Sequence, residues 1–433
     1  MNSIPTNEII TSSITKAQNY SRCLIVLLFI LGICFFTTVR GWTNICFSLV
    51  VLVSMTSLVC SKSKLTKTNH FLDLNKHYYL FFSLAFPIFA VLVTQSIRND
   101  FLIRTYDAPS RMLFAIPVIL YLATKKINFT SIIGYCAPIC LILTAIVVHT
   151  HPEYYAKWAG RYSTKFVDPD SLGDISVVLS SFCLFSLYSP LKSSKSWLAL
   201  QFIGIIFGLY TVIGTSTRGS WLAIPFILLF WISTYRNKIN KNHLIIAPIA
   251  VITLSILIYW FAPNIIVRLA SIYSETNNWL NHTSLDTSAG IRLTMYKMSW
   301  TLFQHQPWAG YGDFGYTKLL DQPWLAASST KVAKDYMACC GPHNELIANL
   351  LRSGVFGGVS YLLILFSPMY FFMKHLSDKN ENSRLACQLG IVYLLTLIIC
   401  GLSLEVLTLK YTVTFYSMLI SGLIGQILFN LKE

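Results

Sequence analysis

Ser131-Ile-Ile-Gly-Tyr-Cys-Ala-Pro-Ile-Cys-Leu-Ile-Leu-Thr-Ala-Ile-Val-Val148 runs for eighteen residues without a charge. A helix crossing roughly 30 Å of hydrocarbon needs about twenty mostly apolar residues, so the stretch reads as a membrane span. Comparable runs lie at 23–39, 44–60, 78–95, 112–124, 172–189, 197–214, 220–235, 244–263, 355–373, 385–404 and 411–430, which makes about twelve helices. The run at 112–124 is short and must borrow flanking residues or sit in a thinned, protein-filled region. With 54% apolar and 12% charged residues, the chain lies outside the range of ordinary soluble domains. The expectation is an all-α polytopic integral membrane protein, with residues 1–433 forming a single membrane domain.

Lysine and arginine settle the expected orientation. Lys16 and Arg22 precede the first run; Lys62, Lys64 and Lys67, then Lys125 and Lys126, fall two spans apart. Lys192 and Lys195, Arg236 with Lys238 and Lys241, Lys374 with Lys379 and Arg384, and Lys432 continue the series, so both termini are expected in the cytoplasm. The first run lacks a convincing small-x-small cleavage site and reads as a retained anchor. The formal net charge of +15 is divided among short loops and forms no continuous stripe, which speaks against nucleic acid and for membrane lipid headgroups as its partners.

On the other face cations are disfavoured, yet Arg98, Arg104, Arg111, Arg161, Arg268 and Arg292 fall there, with Arg218 in Gly214-Thr-Ser-Thr-Arg-Gly219 where two spans meet. Such an excess calls for an anionic partner. Two outer loops are long enough for chemistry. The smaller, 149–171, holds His149, His151, Arg161, Asp168 and Asp170; the larger, 264–344, is rich in Trp and Tyr, which suit a membrane interface and also stack on sugars.

Within the larger loop, Ile291, Met295, Met298 and Leu302 recur at helical spacing, predicting an amphipathic helix over 289–304 with Arg292, Tyr296 and Ser299 on another face. Gly310-Tyr-Gly-Asp-Phe-Gly315 is turn-forming, and no strand precedes it, so it is not a dinucleotide fingerprint. In Gly341-Pro-His-Asn-Glu345, Pro342 is placed to start a helix, which would put His343 in its first turn as a neutral base oriented by Asn344 or Glu345. Of eleven cysteines most lie inside apolar runs as inert side chains, whereas Cys339-Cys340 is open to oxidation in an oxidising compartment. Asp168-Pro-Asp170 has the look of a metal-binding pair but reads better as a capped proline turn, and no metal is expected.

Gly214-Thr-Ser-Thr-Arg-Gly-Ser-Trp-Leu222, Ala289-Gly-Ile-Arg-Leu-Thr-Met-Tyr296, Gly310-Tyr-Gly-Asp-Phe-Gly315 and Gly341-Pro-His-Asn-Glu-Leu346, in this order and spacing, resemble the bacterial O-antigen ligase family. The resemblance is clearest over residues 210–360. It implies a glycosyltransferase of the integral-membrane GT-C type with a large periplasmic loop carrying short helices. Its activity would be transfer of O-antigen polysaccharide from undecaprenyl pyrophosphate to a sugar hydroxyl of lipid A–core oligosaccharide, at the periplasmic face of the bacterial inner membrane. It further implies inversion, no metal or other cofactor, a catalytic set of Arg218, Arg292 and His343, and an acidic position that looks like Glu405. Arg161, Arg111, Tyr296 and Asn344 are candidate substrate contacts beside them.

The residue types suit that chemistry. Cleaving a glycosyl–pyrophosphate bond builds negative charge on the leaving phosphate, and planar guanidinium groups grip phosphate oxygens in pairs. Each charge pair at 4 Å is worth about 4 kcal/mol at an effective dielectric near 20, before desolvation, so two or three arginines can take a metal's electrostatic role. An O-antigen polymerase would use the same donor, and a protein O-glycosyltransferase is a related outcome. A transporter fits the span count, but transporters place polar binding residues at mid-membrane in repeated halves, whereas here the charges gather at one boundary.

Overall fold

The structure is a computed structural model and describes residues 6–60, 75–188, 194–236, 263–326 and 329–432. The expected run at 244–263 falls almost wholly outside these residues, as do the side chain of Arg268 and Lys62, Lys64, Lys67, Lys192, Lys238 and Lys241.

Among the described residues the chain is helical, and fourteen α-helices have at least ten residues. They are α1 (Thr6–Cys34), α2 (Trp42–Cys60), α3 (Tyr78–Arg98), α4 (Asp107–Leu122), α5 (Phe129–Thr150), α6 (Pro169–Ser186) and α7 (Lys195–Thr215). After them come α8 (Arg218–Tyr235), α9 (Pro263–Leu280), α10 (Ser288–His305), α11 (Lys331–Cys340), α12 (Glu345–Lys374), α13 (Glu381–Cys400) and α14 (Lys410–Asn430). Seven of these (α2, α3, α5, α7, α12, α13 and α14) are long and apolar enough to cross a membrane. Polar residues cap the apolar runs: Asn128 accepts from the Ser131 amide ahead of α5, and Ser194 from the Trp197 amide ahead of α7.

The centre of the bundle is α14, with α13 beside it. Small residues make the close packing possible: the Phe129 ring lies on Gly422 and the Leu122 side chain on Gly425. The six cysteines expected inside apolar runs (Cys34, Cys46, Cys136, Cys140, Cys183 and Cys400) are all buried.

Two expectations about helices need correction. The run expected from residue 355 belongs to α12, which starts ten residues earlier, at Glu345. Hydropathy misses this first part because Glu345, Asn349, Arg352, Ser353 and Gly354 are polar or small. The helix is broken at Ser353 and Gly354, whose backbone is not helical. The carbonyls freed by that break are taken up by the glycine-rich turn: the Tyr311 amide donates to the Leu351 carbonyl at 2.7 Å and the Gly312 amide to the Arg352 carbonyl at 2.9 Å. On the other side the Val355 amide donates to the Pro307 carbonyl at 2.8 Å. Backbone groups freed inside the protein need such internal partners.

The larger outer loop folds on itself. The amphipathic helix expected over 289–304 is α10, and its Met295, Met298 and Leu302 are buried against Tyr316, Leu320, Ala333, Met337 and Leu351. Ser299 was expected on the polar face but is buried, because α10 is covered on two sides by α11 and α12.

Candidate functional site

Arg218 is the first residue of α8. The turn before it is tight: Ser216 adopts a left-handed conformation with φ 53° and closes α7, and the extended Thr217 opens α8. The segment around Arg161 braces this turn. The Tyr162 amide donates to the Gly214 carbonyl at 2.9 Å, the Tyr162 ring packs on Gly214, and Arg161 Nε donates to the Thr215 carbonyl at 2.9 Å. Arg161 also forms an ion pair with Asp170, in the first turn of α6.

Arg161, Arg218 and Arg292 line one open cavity of about 120 Å³, together with Asp170, Asp174 and Ser403. Two helices, α8 and α10, begin at its wall with Arg218 and Ser288. Their positive dipole ends add to the guanidinium charge, so the cavity favours an anion. The Asp174 carboxylate, on α6, accepts a 2.6 Å hydrogen bond from Ser220 of α8 and ties the two helices together behind Arg218.

Arg218 is held by a residue the sequence did not single out. Its guanidinium donates to both oxygens of Glu275 on α9, at 3.3 and 3.4 Å, and to the Ser271 hydroxyl at 3.0 Å. Glu275 Oε2 also accepts from the Ala289 amide at 2.7 Å, in the first turn of α10. Burial alone would raise the Glu275 carboxyl, but the Ala289 amide, Arg218 and Ser271 outweigh it and hold the group below the usual carboxylate range. Arg292 lies one turn further along α10, on the same face as Ala289.

His343 differs from its expected position. α12 begins at Glu345 with Asn344 as its cap, so His343 lies before the helix and not in its first turn, at φ 52°. Pro342 does not start the helix because the Asn344 side chain, accepting from the Ile347 amide at 3.1 Å, is the stronger initiator. Burial first, and the nearby Arg292 charge second, push the His343 imidazole below its ordinary 6.5. The charges of Glu405, Asp170 and Asp168 oppose this in part.

Asn344 and Glu345 do not serve as the expected orienters of the ring. Asn344 caps α12 and donates to the Leu402 carbonyl at 3.2 Å, while Glu345 accepts from the Leu407 amide at 2.8 Å and from Asn349. Tyr296 instead reaches the histidine segment, its hydroxyl donating to the Leu402 carbonyl at 2.7 Å and the His343 carbonyl at 3.2 Å. Glu405 pairs with Arg352 of α12, and its carboxylate lies against Gly341. With φ 78° and that carboxylate on its Cα, position 341 admits only glycine without displacement. Arg352, which the sequence reading passed over, could have been found there, since ionisable residues flanking an apolar run merit a functional reading.

Other expected contacts lie apart from the cavity wall. Arg111 is engaged within α4, bonded at 2.6 Å to the Asp107 carboxylate. Asp168 is the cap of α6, accepting from the Asp170 and Ser171 amides at 3.0 Å each, which is the capped proline turn read from the sequence. Cys339 and Cys340, at the end of α11, are joined by a disulfide.

Residues 203–362 match the model of the O-antigen ligase family. That match covers the part of the chain in which the sequence resemblance is clearest. The matched segment contains the Arg218 turn, α10 with Arg292, the glycine-rich turn and the His343 segment. The chain is also similar to an uncharacterized protein of Haemophilus influenzae, 26% identical over 322 residues, which cover 73% of this chain and 78% of that protein. Members of the O-antigen ligase family are glycosyltransferase-like membrane enzymes, and the apolar helices of this chain fit that class.

Proposed function

We propose that this protein is an O-antigen ligase that transfers O-antigen polysaccharide from undecaprenyl pyrophosphate to a sugar hydroxyl of lipid A–core oligosaccharide. The observation that carries the reading is the meeting of Arg161, Arg218 and Arg292 in one cavity, with His343 close enough to Arg292 to feel its charge. The guanidinium groups bind the pyrophosphate and stabilise the charge that develops on it as the glycosidic bond breaks. His343, held neutral, accepts the proton of the attacking hydroxyl, and a single displacement inverts the anomeric carbon. Glu405, from the turn before α14, lies against Gly341 beside the histidine segment, and its charge favours the imidazolium that forms.

In this reading the chain spans the bacterial inner membrane about twelve times in a GT-C arrangement, with both termini cytoplasmic and the cavity at the periplasmic face. No metal takes part, since the arginines neutralise the leaving group. The test is reconstitution in liposomes with lipid-linked glycan and lipid A–core. Arg218→Ala, Arg292→Ala and His343→Ala should each lower transfer on the order of 10²-fold or more. Full activity in His343→Ala removes the base assignment. Glycan lengthening on the lipid carrier, with none reaching lipid A–core, makes the protein a polymerase.

A further inference from the structure

The cavity's cations are already partly spent. Arg161 is paired with Asp170 and Arg218 with Glu275, while Arg292 has no ion pair among the described residues. An entering diphosphate therefore meets two carboxylates. Asp170 is fixed, since it sits in the first turn of α6 and its carboxylate is also bonded to Thr217. Glu275 is placed differently. It reaches in from α9, whose Ile272, Tyr273 and Leu280 are exposed, so that this side of the helix has little packing among the described residues to hold it.

We propose that Glu275 is an exchangeable counter-ion that occupies the diphosphate position at Arg218 and competes with it, an inference that rests on the donor site described above. The carboxylate makes the contacts a phosphate oxygen would make: a two-point grip on the Arg218 guanidinium and an acceptor for the Ala289 amide at the start of α10. When the diphosphate enters, Glu275 withdraws and both groups pass to the ligand, with Arg292 one turn along the same face. When the glycan has left, the return of Glu275 to Arg218 offsets the loss of phosphate contacts and speeds departure of the carrier diphosphate. Glu275 is thus a positioning residue, and it acts through Arg218.

The experiment measures binding of inorganic pyrophosphate to the full chain in detergent by calorimetry. Glu275→Gln keeps an oxygen for the Ala289 amide but removes the competing charge, so it should bind pyrophosphate more tightly, on the order of tenfold, and turn over more slowly at saturating donor. Glu275→Asp keeps the charge and should stay near wild type. Equal or weaker binding by Glu275→Gln, or the same gain in both variants, overturns the proposal. In the wild type, which requires no folded variant, saturating pyrophosphate should speed amide exchange in α9; unchanged or slower exchange also overturns it. Arg218→Ala separates the two readings: undiminished pyrophosphate binding there defeats the donor site itself, whereas weakened binding there with no gain in Glu275→Gln defeats the counter-ion alone.

Discussion

Gly310 and Gly354 meet backbone to backbone, so that a methyl group on Gly310 would come within 2.6 Å of the Gly354 amide nitrogen. Both have positive φ, 63° and 56°, and the contact closes the break in α12 that sets Arg352 against Glu405. Gly310→Ala and Gly354→Ala should each destabilise the protein by about 1–3 kcal/mol from backbone conformation alone. The clash with backbone atoms adds to this. Gly312→Ala, also at positive φ, would meet only the tips of Arg98 and Asp100, at 3.5 Å, and should cost less. Thermal unfolding in detergent checks the order; equal melting temperatures for Gly354→Ala and Gly312→Ala would contradict it.

The pH dependence of transfer follows from His343. A base must be unprotonated, and burial together with Arg292 lowers this imidazole from 6.5, so activity should persist above neutrality and fail only as pH drops below that value. Replacing Arg292 with Gln removes a neighbouring positive charge. The histidine then protonates more readily, and the acid limb of the residual activity should move to higher pH. Carbethoxylation of His343 followed against pH gives the same titration without relying on turnover. An acid limb that stays put in the variant would separate Arg292 from the histidine.

Asp168 supplies a third expectation. Its carboxylate receives two amides at the start of α6, so Asp168→Ala should cost about 1 kcal/mol of stability while leaving transfer largely intact. Chelation with EDTA should leave transfer unchanged in both proteins. A folded Asp168→Ala protein without activity, in a reaction that EDTA abolishes and Mn²⁺ restores, would return the Asp168-Pro-Asp170 pair to a metal.

Much of the architecture was legible because membrane spans and caps are local signals. The run beginning at Ser131 lies within a helix started by Asn128, and Met295, Met298 and Leu302 mark α10 by spacing alone. The broken start of α12 was not legible: Gly354 reads as a helix end until the Tyr311 and Gly312 amides are seen to complete it. The positions of Arg218, Arg292 and His343 were legible as motifs, but the counter-charge on Arg218 was not. Glu275 lies 57 residues from Arg218 in the chain, and nothing in the spacing of one sequence says that the two meet. His343 was misplaced for a simple reason, since a proline and an asparagine two residues apart both signal a helix start, and here the side-chain acceptor prevails.

The position of α14 bears on how the molecule is made. The innermost helix is also the last of the described helices to leave the ribosome, so every earlier span enters the lipid before its central neighbour exists. Until Lys410–Asn430 emerges, Phe129 and Leu122 have no glycines to close upon, and the nascent bundle must wait around an unfilled seam.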